Sequence, residues 1–157
     1  MQAMMNWALA IGLAVAGSGC AMGIQSANLS KEELTAYGSH HFDEPPAKVH
    51  QAVKTALLAQ SFSIAVDNPQ KGVIKTGRRL IRSAARGGQH YAEAVDYSRQ
   101  YVATVRAAQG GGTEVTLEPR VFAGEQDLSE QAVWVIEGEL GERRLWSRLW
   151  KEIGESL

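Results

Sequence analysis

Two hydrophobic rhythms alternate along this chain. Val49, Ala52, Val53, Ala56 and Leu57 recur at spacings of three and four, with Lys48, Gln51, Lys54 and Thr55 between them. That period predicts an amphipathic helix over residues 46–60. Pro45 and Pro46 follow Asp43 and Glu44; a helix start tolerates proline because its first N–H groups are unpaired anyway, and acids favour the positive end of the dipole. The period drops to two at Phe62, Ile64 and Val66, each flanked by Ser or Ala, which predicts a half-buried strand. Residues 67–72 are a turn by composition, and residues 73–80 read as the returning strand.

Residues 83–89, rich in Ala and Gly, follow neither period and read as a flexible loop. Tyr91, Glu93, Val95, Tyr97, Arg99, Tyr101, Ala103 and Val105 then share one side of a long extended segment, whose most buried part is expected at residues 101–105. Gly110, Gly111 and Gly112 make a turn, and residues 113–117 alternate as an antiparallel partner would. The hairpin over residues 91–122 is expected at the centre of the sheet. Residues 132–136 are compatible with an edge strand or with the approach to a last helix. Leu145, Trp146, Leu149, Trp150 and Ile153 return to the helical period, which predicts a helix over residues 139–156. A short strand is also read at residues 39–43. The expected class is α+β: an antiparallel sheet of four to six strands with two amphipathic helices on one face, after an N-terminal signal segment and linker.

Charge changes the picture at the N-terminus. Lys31 is the first Asp, Glu, Lys or Arg in the chain. The electrically blank start contains an apolar run over residues 7–16, the length of a signal-peptide core and well short of the roughly 20 residues that span a bilayer as a helix. Gly17, Ser18, Gly19 and Cys20 follow directly, and Cys20 is the single cysteine. This stretch resembles the bacterial lipobox in Ser18, Gly19 and Cys20, with Gly17 standing where leucine is usual. The resemblance implies a signal peptide over residues 1–19, diacylglycerol on Cys20, and a mature chain that starts there. Ala21 rather than Asp then implies sorting to the outer membrane, on the periplasmic face. The plainer alternative is a buried structural cysteine. Residues 20–38 read as a lipidated N-terminus and flexible linker, with one helical turn after Ser30, and residues 39–157 as a single α+β domain.

A second resemblance is carried by residues 42–46 (FDEPP), Val49, Ala52, Leu57, residues 62–64 (FSI), Gly72, residues 110–113 (GGGT), Val115 and residues 145–157. Together these are similar to envelope lipoproteins of the BamC-like kind, whose domains have a helix-grip form. That likeness implies a non-catalytic accessory protein of the cell envelope and carries over no binding residue.

Few side chains point to chemistry. With one cysteine, neither an intramolecular disulfide nor a multi-cysteine metal site can form. His40 and His41 are adjacent in a strand and face opposite ways, so no metal is expected. No Gly-x-Ser-x-Gly elbow occurs, the glycine run lacks the Lys-Ser/Thr of a phosphate loop, and no cofactor is implied. The near balance of 16 basic and 17 acidic residues gives no sign of a nucleic-acid binder. Between Asp67 and Glu93, however, Lys71, Lys75, Arg78, Arg79, Arg82 and Arg86 occur without one acid. Arg78, Arg79, Arg82 and Arg86 are the candidate contact for an anionic partner, such as lipid headgroups, a charged envelope component or an acidic protein face; a solvated hairpin tip is the bland alternative. Trp146 and Trp150, four apart, are expected in the core.

The reading is therefore a non-catalytic outer-membrane lipoprotein, anchored through Cys20 and acting as an interaction or assembly module. The alternative is a helix-grip domain that holds a small apolar ligand between the sheet and the C-terminal helix.

Overall fold

The computed structural model describes residues 26–27, 31–88, 91–128, 134–135 and 142–157. The apolar run and Cys20 lie outside the described residues. The elements in order are β1 (Ser26–Ala27), α1 (Lys31–Tyr37), β2 (Ser39–Phe42), α2 (Pro46–Ala59), β3 (Ile64–Asn68), β4 (Val73–Thr76), β5 (Arg79–Gly88), β6 (Tyr91–Ala107), β7 (Thr113–Ala123), β8 (Gln126–Asp127), β9 (Trp134–Val135) and α3 (Glu142–Ser156). The class is α+β. Seven strands form one antiparallel sheet in the order β2-β7-β6-β4-β3, with β5 added to β6 and β8 to β7; β1 and β9 pair separately.

The sheet is larger than the expected four to six strands because β5 and the two-residue β8 are added to it. The returning strand after the first hairpin breaks at Gly77, giving β4 and β5, which lie in succession along the same edge of β6. The Ala- and Gly-rich stretch read as a loop is the body of β5, held from Arg79 to Gly88 by its pairing with β6. Short side chains made that stretch locally silent; the seventeen residues of β6 supply the partner. A third helix, α1, occupies part of the stretch read as a linker and touches β2 and α3.

Odd-numbered residues of β6 and β7 share one face, as their register requires: Tyr101 opposes Pro119, Ala103 opposes Leu117 and Val105 opposes Val115. This is the face that α2 and α3 cover. α2 buries Val49, Ala52, Val53, Ala56 and Leu57, the predicted stripe, together with His50. The helix ends where Phe62 N–H donates to Leu57 O and Ser61 takes φ 63°, a left-handed closing residue. Phe62 then meets Tyr101 edge-on, with ring centroids 5.3 Å apart. The turn between β3 and β4 depends on Gly72. Its φ is 63°, its carbonyl accepts from Val105 N–H at 2.7 Å, and a Cβ there would stand 1.9 Å from Val105 O.

Candidate interaction surface

The space between sheet and helices is filled by side chains. Val49, Val53, Leu57, Ile74, Tyr101, Leu117, Leu149 and Ile153 are fully buried in one cluster, and Trp146 is 1% exposed. The Trp146 indole N–H donates to Leu117 O at 3.2 Å, which satisfies its one polar atom and fixes the ring against β7. Trp150 is only half-buried. Its N–H donates to Tyr37 O at 2.8 Å, and its ring stacks on exposed His40 at 5.4 Å. Trp146 is the core residue the helical spacing predicts, while Trp150 belongs to a ledge that ties α1 and β2 to α3. Arg143 extends that ledge, its guanidinium 4.4 Å from the centre of the Tyr37 ring.

His40 and His41 face opposite ways, as expected of strand neighbours. His40 lies on the helix-covered face, and His41 points to the other, with Nε2 3.7 Å from Asp43 Oδ1. A different histidine is the one that meets a carboxylate closely. On α2, His50 Nε2 is 2.8 Å from Asp67 Oδ1 and Lys54 Nζ is 2.6 Å from Asp67 Oδ2. His50 and Lys54 are one helical turn apart, so both reach the same residue of β3. Their hydrogen bonds hold the Asp67 carboxyl below its ordinary value, His50 contributing most and Lys54 next. The i, i+4 pair was visible in the sequence; Asp67, inside a stretch read as a turn, carried no signal.

The candidate arginines divide. Arg78 lies on the open face: its guanidinium sits 3.9 Å over the Phe122 ring, donates to Gly124 O at 3.2 Å and pairs with Glu125 at 3.0 Å. Arg79 turns the other way, over the Phe62 ring at 4.2 Å, and donates to Gln60 O. Each therefore makes contacts within the chain. The positions of Arg82 and Arg86 follow from register. Arg79 pairs with Arg99, the register shifts between Leu80 and Arg82, and Arg82 and Arg86 then pair with Tyr97 and Glu93. All three partners are odd-numbered in β6, so positions 79, 82 and 86 fall on one face. Without the bulge, residues three apart would alternate.

Beside these strands, a cavity of about 590 Å³ is bordered by Glu93, Asp96, Gly124 and Gln126 among others. Its lining is exposed or half-buried, and Asp96 already accepts from the Ser83 hydroxyl at 2.5 Å. The open face also carries exposed Leu80 and Val66.

No family model matches the chain, and no curated protein matches it. Among solved structures, the chain is similar to a DUF4468 family protein from Bacteroides ovatus ATCC 8483. The identity is 16% over 75% of this chain and 77% of the other, with a TM-score of 0.33.

Proposed function

We propose that this protein is a lipid-anchored module of the bacterial outer membrane whose α+β domain works by contacting other envelope components rather than by catalysis. The observation that supports an interaction role over ligand storage is the filled interior: Trp146, Leu149, Ile153 and Leu57 occupy the space where a helix-grip domain would keep a ligand. The closest His–carboxylate pair among the described residues, His50 with Asp67, is used to join α2 to β3. The features left for recognition are on the surface, in the basic strand β5 and in the aromatic ledge around Trp150. The anchor rests on the apolar run and Cys20, and several acyl chains on one cysteine hold a domain stably at a bilayer.

Intact mass of the membrane fraction tests the anchor. The wild-type chain should carry added lipid mass and remain with the outer membrane, and Cys20→Ala should lose both. Wild type without added lipid mass would remove the localisation. A small apolar molecule released in stoichiometric amount from the denatured protein would instead favour the ligand-binding reading.

A further inference from the structure

β5 has ten residues and, among the described residues, pairs only with β6. Its neighbour β4 is covered on the outer side by β3. That cover ends where Gly77 N–H donates to Ser63 O, because the chain before β3 leads back to α2. From there on, no described residue pairs with the outer row of β5 backbone N–H and C=O groups, the template on which a further strand can pair.

Charge decides which strand fits. Positions 79, 82 and 86 fall on one face of the strand, and in sequence no acid lies between Asp67 and Glu93. Two copies of β5 paired with each other would bring arginines against arginines, and like charges across a ladder are destabilising. An anionic membrane is a poorer match as well. Exposed Glu93 on β6, directly opposite position 86 in the register, lies one strand spacing away, about 4.8 Å, and would face the same charged plane. A strand added to the outer edge lies a further spacing from that acid and next to the arginine positions. Positions 82 and 86 are about 13 Å apart along the strand, so acidic residues at alternate positions of an incoming segment meet both.

We propose that β5 is a strand-addition site for an acidic, extended segment of a partner protein. Backbone pairing supplies the binding surface, and Arg82 and Arg86 select acidic over basic or neutral segments. The proposal deepens the interaction-module reading and rests on it only in taking the partner to be an envelope protein.

The test uses the full-length chain in detergent and a fluorescein-labelled peptide of β5's length in which Glu and Val alternate. Saturable binding at low salt is expected, weakened about tenfold by joint Arg82→Gln and Arg86→Gln substitution. N-methylating alternate peptide amides should abolish binding in one of the two registers. Successive residues of a strand direct their N–H groups to opposite edges, so Ala84→Pro and Ala85→Pro supply an internal control. The variant that keeps the wild-type thermal midpoint has lost only an outward donor, and it must lose the peptide.

No saturable binding, binding that survives N-methylation in both registers, or binding kept by both proline variants would overturn the proposal. So would self-association of the wild type abolished by the proline variant that keeps the thermal midpoint, which would make a second copy the occupant. Cosedimentation with phosphatidylglycerol vesicles that the arginine substitutions remove, without peptide binding, would make it a lipid surface. Loss of the Cys20 anchor in the mass experiment leaves peptide binding unchanged, so the two failures are distinguishable.

Discussion

Truncating Trp146 to alanine measures whether the interior is as full as its burial implies. A fully buried tryptophan keeps about 250 Å² from water, about 6 kcal/mol at about 25 cal/mol per Å². Alanine retains part of that contact and the walls relax inward, so the range for large aromatic truncations, about 3–5 kcal/mol, is the better figure. Trp146 also donates to Leu117 O, and losing a net hydrogen bond adds about 1 kcal/mol. The expected loss of about 4–6 kcal/mol approaches the whole stability of a weaker domain, about 5 kcal/mol. Trp146→Leu, expected to lose about 2–3 kcal/mol, is therefore measured alongside. The hole left by alanine is about 150 Å³, a size that stays dry in apolar surroundings and accepts benzene. Urea unfolding followed by circular dichroism, with and without benzene, reads both effects. Benzene should raise the midpoint of Trp146→Ala and leave that of the wild type unchanged. A wild-type midpoint raised by benzene, or a loss under about 1 kcal/mol in the alanine variant, would refute the filled interior and return the ligand-binding alternative to first place.

Two further outcomes follow from local geometry. Gly72→Ala combines a left-handed backbone with a Cβ 1.9 Å from Val105 O, so the turn must move. It should lose about 3 kcal/mol or more in urea unfolding, whereas Gly111→Ala, at φ 98° with nothing within 4 Å, should lose about 1 kcal/mol; equal losses would contradict the close approach. Asp67→Asn should narrow its stability gap to wild type only in acid. The folded carboxyl is held below its ordinary 3.8, so its contribution is complete above that value and fades as pH falls through the lower folded one. Paired urea midpoints at stepwise pH check this, and a gap that instead widened below 3.8 would show the sign to be wrong.

Much of the candidate surface was legible as composition but not as geometry. The run of basic residues after Asp67 is plain in the sequence, and it runs into the strand whose outer edge is unpaired among the described residues. Nothing local shows that Arg78 covers Phe122 on one face while Arg79 covers Phe62 on the other. The same limit hid the His50–Asp67 contact, which joins residues 17 apart in sequence.

Local pattern was enough to place the α2 stripe, the β6–β7 hairpin at the centre of the sheet, the burial of Tyr101, Ala103 and Val105, the core position of Trp146 and the α+β class. Each follows from a periodicity of three to four or of two, which records how a single segment divides its faces between water and core. Packing between segments sets what no local pattern shows: that the Ala- and Gly-rich stretch is a strand, that seven described strands share one sheet, and that a register shift brings positions 79, 82 and 86 to one face. Short side chains have no periodicity to show, and the register of a strand belongs to the pair, so β5 became a strand only once β6 lay beside it.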